Sequence, residues 1–228
     1  MEHPQPPRRL PNPPGLRFAG LLVVLITAFM GVGATMDTAE IWNLSETRRA
    51  LDDVGDPFSQ IRDALKQYDP EGVFPRLFAP EVVRATVERQ LDALEQMRGP
   101  RTFALMVLST ACMFAFVAAG RLLRTDGMPR EGMRRILVGS LLVAAFLRTF
   151  VGAQTAAVNQ KVMRKMPELV GAVNDVAAEQ LQQYMLANVL LPGLWTALMA
   201  GFLVLLGQYF RSEKIKQVVA LQDQHLRP

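Results

Sequence analysis

An all-α integral membrane protein, with four transmembrane helices and two helical extracytoplasmic hairpins, is the fold class that the sequence predicts. Four nearly uncharged apolar blocks predict the crossings, and the charge of the segments between them predicts the topology. Helical spacing of apolar residues in the two long connections predicts the hairpins. The 228 residues are 50% hydrophobic and 20% charged, a balance that a soluble domain can share, so the distribution decides the class.

The blocks are residues 18–36, 102–120, 136–156 and 188–210. At 1.5 Å of rise per residue, about 20 residues cross a hydrocarbon core about 30 Å thick. Residues 1–17 carry a net charge of +2, the link 121–135 carries +3 and the tail 211–228 carries +2. The long connection 37–101 holds nine bases against thirteen acids, and residues 152–187 hold three of each. Because Lys and Arg near the bilayer stay on the cytoplasmic side, both termini and the basic link are expected inside and the two long connections outside. The membrane expected is an inner or plasma membrane. Arg8, Arg9 and Arg17, followed by an apolar stretch and Val32-Gly33-Ala34, also fit a cleavable signal peptide,. The apolar stretch is longer than a usual signal core, so an uncleaved anchor is the expectation.

Residues 1–17 hold six prolines, too many fixed φ angles and missing donors for a helix, and are expected to be a disordered stub. In 37–101, Leu44, Leu51, Val54, Phe58, Ile61 and Leu65 follow one another at gaps of 7, 3, 4, 3 and 4. They form one helical stripe, interrupted at Gly55-Asp56-Pro57, where Asp before Pro reads as a helix restart. Asp69-Pro70-Glu71-Gly72 reads as a turn. Pro80 then opens a helix with Val83, Val87, Leu91, Leu94 and Met97 on one face, and Gly99-Pro100 is expected to end it. In 157–187, Val158, Val162, Met166, Leu169, Val173, Val176, Leu181 and Tyr184 keep the same period across Pro167, where a kink or turn is expected. Each hairpin is expected to cover the other's stripe. Residues 211–228 are expected to be an amphipathic extension of the fourth crossing.

Arg148 is the ionisable residue well inside a block. A central arginine costs about 3 kcal/mol on insertion scales, so it has to find an interface, a partner or a wet cavity. Snorkelling towards the outer headgroups is the leading expectation. An ion pair with Asp37 or Glu40 and a place on a conducting path are its rivals. Ala111, Ala115 and Ala119 on the second crossing, Ser140 and Ala144 on the third, and Gly31 with Thr35 on the first offer faces on which backbones can approach. Trp195 follows Pro192-Gly193, where a kink should free carbonyls that need partners.

The exclusions are firmer. One cysteine and two histidines, His3 and His225, both outside the blocks, leave no disulfide framework, no Cys/His zinc site and no haem between helices. No Gly-rich loop ends in Lys-Ser/Thr, and no block holds a carboxylate, which argues against nucleotide hydrolysis and against an intramembrane aspartyl protease. The expectation is a non-enzymatic subunit or scaffold without a cofactor. Its partners would be the lipid bilayer and copies of itself or other membrane subunits, not nucleic acid. An oligomeric channel is the alternative.

In a Cys112→Ala background, a cysteine at position 69 or 161 should label from outside intact cells with an impermeant thiol reagent. One at position 126 should not, and its labelling would reverse the orientation.

Overall fold

A computed structural model describes residues 13–53, 59–68, 77–124, 130–167 and 175–224. Every regular element among them is helical: α1 (Pro14–Trp42), α2 (Leu44–Asp53), α3 (Ser59–Tyr68), α4 (Pro80–Gln96), α5 (Arg98–Leu123), α6 (Arg130–Met163), α7 (Asp175–Arg211) and α8 (Glu213–Gln224). Four of them, α1, α5, α6 and the Gln182–Arg211 part of α7, are long and apolar enough to cross a membrane. They contain the four blocks and overrun each of them.

Prolines set several of the boundaries, in two places differently from expectation. Pro14 to Arg17, assigned to the stub, form the first turn of α1, and the Pro13 carbonyl accepts from the amides of Leu16 and Arg17. Proline is tolerated in a first turn because the donor it lacks has no helical partner there. For the same reason Gly99-Pro100 does not end α4. That helix stops at Gln96, Met97 closes back on the Leu94 carbonyl, and Gly99-Pro100 lies in the opening turn of α5. Pro80 opens α4 as expected, after an extended Ala79. Ahead of Pro167, α6 gives way to a turn at Arg164-Lys165. The Asp56-Pro57 restart and the Asp69-Gly72 turn lie outside the described residues.

The chain forms two compact units. In the first, residues up to Met36, Ala104–Thr149 and Ala197 onward surround a core that includes Val23, Leu105, Leu108, Ala115, Leu137, Leu141, Leu203 and Phe210, all buried. Glycines bring its helices together. A Cβ on Gly20 would lie 2.8 Å from the Leu123 side chain, and one on Gly31 would lie 3.4 Å from Cβ of Cys112. Ile215 and Val219, on the apolar face of α8, are buried in this unit as well.

The second unit is Asp37–Phe103 with Phe150–Thr196. Leu77, Val82 and Met166 make a buried cluster, against which Met163, Tyr184 and Met185 pack. The stripe positions Leu91, Leu94, Val158 and Val162 are buried, Leu44 is buried, and Ile61 is exposed. Leu51, Val54, Phe58, Leu65, Leu169, Val173, Val176 and Leu181 fall, wholly or in their side chains, outside the described residues. Helix α4 is tied to α2 by Arg48, which lies 2.5 Å from Asp92 and 3.6 Å from Glu95. It is tied to α6 by the Lys161 ammonium, which donates to Gln96 at 2.9 Å. Where α6 passes α7, a Cβ on Gly152 would meet the Thr196 side chain at 2.2 Å, so only glycine fits.

Helix α7 continues through Pro192. A proline removes the amide that would bond the carbonyl four residues earlier, here that of Asn188. The Asn159 side chain on α6 supplies the missing donor, its Nδ2 lying 3.2 Å from the Asn188 carbonyl. Asn188 turns its own amide group to the Tyr184 carbonyl at 2.9 Å. The expected need for a partner is thus met by a neighbouring helix. Asn159→Leu should cost about 1–3 kcal/mol, the penalty for a carbonyl left unpaired away from water. The cost should largely vanish in a Pro192→Ala background, where the backbone amide returns. Equal losses in both backgrounds, read from unfolding in detergent, would refute the pairing.

Candidate functional site

Two groups of polar residues stand out in the first unit, an arginine within the apolar stretch of α6 and a cluster of arginines at the start of α6. Arg148 continues the inward stripe of α6, one or two turns beyond the buried Leu141, Ala144 and Ala145 and just before the buried Val151. The residue is half-buried, its Nε is enclosed without a hydrogen-bond partner, and it makes no hydrogen bond or ion pair among the described residues. Its guanidinium lies within electrostatic reach of Cys112, which is completely buried on α5. Asp37 and Glu40, named as possible partners, are carried on the last turns of α1 and belong to the second unit.

The small-residue faces behave as internal packing. Ala111, Ala115, Ala119 and Ala144 are all buried and Ser140 is half-buried. Helices α1 and α5 also meet through a hydroxyl pair, with Thr35 Oγ1 and Ser109 Oγ 3.1 Å apart. Beside this pair, a groove of about 490 Å³ is lined mainly by apolar surface, including Thr27, Gly31, Cys112 and Phe116. Thr35 also donates to the Gly31 carbonyl at 2.8 Å. Among the described residues no group of three or more His, Cys, Asp or Glu could hold a metal ion.

The cluster at the start of α6 joins several helix ends through side-chain bonds. Asp223 of α8 caps α6, accepting from the amides of Arg130 at 2.9 Å and Glu131 at 3.1 Å. A carboxylate there meets both the unpaired amides and the positive end of the helix dipole. The Arg130 guanidinium donates to the Gln222 side chain and to the Arg124 carbonyl. Arg134 is buried, clasps Glu131 through two bonds of 2.7 Å, and reaches the Phe210 carbonyl at the end of α7 at 2.9 Å. Arg135 completes the set on Glu131 at 2.9 Å but is itself exposed. Four helix ends are thereby fastened together by side chains.

Sequence reasoning found Arg148 and the small faces and missed this cluster. The bonds that tie α6 to α7 and α8 join positions 76 to 93 residues apart, a separation at which no periodicity operates. The available signal was complementary composition: a link with five arginines and a tail with Asp223 and Gln222.

Arg134→Met should destabilise by about 1–3 kcal/mol, since it leaves the Phe210 carbonyl without its side-chain donor and Glu131 with only the exposed Arg135. Arg135→Ala should cost less than about 1 kcal/mol, as exposed pairs usually do. Equal effects of the two substitutions on thermal unfolding would show that the bidentate clasp does not matter. The chain matches no protein-family model, no curated protein and no solved structure.

Proposed function

We propose that this chain is a non-enzymatic four-pass membrane protein that serves as a subunit or scaffold of a membrane assembly, with both termini on the cytoplasmic side. The observation that carries the reading is how little of its apolar surface the chain covers itself. Only 22% of the apolar window of α7 is buried, against 44% for α5, and Leu190, Leu191, Leu194, Leu198 and Leu205 are exposed. Lipid covers such a face without help, because hydrocarbon is as apolar as leucine. Protein can cover it equally well, and this helix has the most surface available for that.

The chemistry supports the same reading. Several polar side chains of the first unit hold helices together: Asp223 as a cap, Arg134 and Glu131 as a clasp, Thr35 and Ser109 as a hydroxyl contact. None of them combines a nucleophile with a base, as covalent hydrolysis requires.

Purification in a mild detergent, with the protein mass measured by light scattering, tests the proposal. The expected result is a particle heavier than one 25.3 kDa chain that gives no ion flux in liposomes. A stable single-chain particle would defeat the subunit reading, and flux above that of empty liposomes would establish a channel instead.

A further inference from the structure

We propose that Arg148 is a docking charge, placed to receive a carboxylate carried at mid-membrane depth by a transmembrane helix of a second, different polypeptide. The proposal rests on the subunit reading and names the chemistry of the partner.

Depth is the first argument. Counted from Ile136, Arg148 lies 12 residues into the crossing, about 18 Å into a core of about 30 Å. The nearer exit lies ahead of it, towards Met163. Side chains on an α-helix leave the backbone tilted towards the helix N-terminus. The guanidinium therefore leans back towards the middle of the bilayer, against the direction that snorkelling requires. The electrostatic reach of Arg148 to Cys112 agrees with this, because Cys112 lies 10 residues along its own crossing, about 15 Å from Thr102,.

The second argument is the want of an acceptor. Nε is enclosed and unpartnered, and the guanidinium makes no hydrogen bond or ion pair among the described residues. The residue is nevertheless only half-buried, so its outer N–H groups are open to a neighbouring helix. An arginine held like this in hydrocarbon needs a counter-group, and a carboxylate that accepts two parallel N–H bonds fits its fork best.

The third argument excludes a second copy as the source. Residues 18–36, 102–120, 136–156 and 188–210 contain no Asp or Glu, so no copy of this chain can bring a carboxylate to that depth. A copy could offer only neutral hydroxyls or carbonyls, whose bonds to a guanidinium are weaker than those of an ionised partner. The complementary charge has to come from a helix of different sequence.

The probe is a set of synthetic polyleucine helices about 21 residues long with Glu, Gln or Leu at the centre, labelled for energy transfer and mixed with the full chain in liposomes. The Glu helix should bind the wild-type chain at least tenfold more tightly than the Leu helix. Arg148→Leu should abolish that preference, and Arg148→Lys should keep part of it, which separates loss of charge from loss of fold. Equal binding of the Glu and Leu helices to the wild-type chain would overturn the proposal, as would a Glu preference that survives in Arg148→Leu. A native complex made only of copies of this chain, unchanged in mass by Arg148→Leu, would overturn it too. A single-chain particle defeats the subunit reading itself. A multi-chain particle without the Glu preference defeats only the role given to Arg148.

Discussion

Hydrocarbon cannot hydrogen-bond, so each polar group on a helix long and apolar enough to cross a membrane has to be answered by protein. The local geometry of the four long helices follows from that constraint. Several of their threonines bond back to carbonyls one turn earlier: Thr27 to Val23 at 2.7 Å, Thr110 to Met106 at 2.9 Å, Thr149 to Ala145 at 3.0 Å and Thr155 to Val151 at 3.0 Å. A hydroxyl answered inside its own helix makes no demand on the packing. Pro192 is the case where self-sufficiency fails, because the donor is missing from the backbone. The answer then has to come from another helix, and it fixes Asn159 opposite Asn188. One imino acid thus sets the register of two helices through a single amide side chain.

The same logic operates in stronger form at the start of α6, where charges and not hydroxyls have to be answered. Burying Arg134 is tolerable because two carboxylate oxygens and a carbonyl meet its donors with good geometry,. The carbonyl belongs to Phe210, the residue before α7 ends, so the ion pair also closes a helix terminus. Asp223 does the converse, using its charge to close the terminus of α6. Helix α8 is held to the first unit by this cap as well as by the buried Ile215 and Val219. A tail that composition alone would assign to the lipid surface is therefore a component of the fold.

Much of this was legible in the sequence because crossings and stripes are local, periodic signals. A run of about 20 apolar residues is sufficient to identify a span, and the four blocks all lie within helices. The stripe Val158, Val162, Met166 was legible because period 3.6 puts it on one face, and that face is buried,. The misread ends at Pro14 and Pro100 have a common cause. A proline in an apolar context signals a boundary without saying on which side of it the helix lies, and the backbone resolves that by using the first turn. The Arg134–Phe210 and Asp223–Arg130 bonds were illegible for a different reason. They depend on four helix ends meeting in space, and nothing in the spacing of residues 124, 134, 210 and 223 announces it. The contact of Gly152 with Thr196 is of the same kind: either residue alone is an ordinary small residue in an apolar helix.

Arg148 differs from Arg134, Arg101 and Arg48 in making no hydrogen bond or ion pair among the described residues. Arg134 has Glu131 and the Phe210 carbonyl, Arg101 donates to Thr155 Oγ1 at 3.2 Å, and Arg48 has Asp92 and Glu95. In each case the acceptor was available within the same unit and the helices were arranged around it. Around Arg148 the neighbours on the stripe are Leu141, Ala144, Ala145 and Val151, side chains that exclude water and accept nothing. Packing of this kind would drive out a charge that had no use there, since a leucine at the same position would fill the stripe at no electrostatic cost. An arginine held on that face is explained when its acceptor arrives from outside the chain.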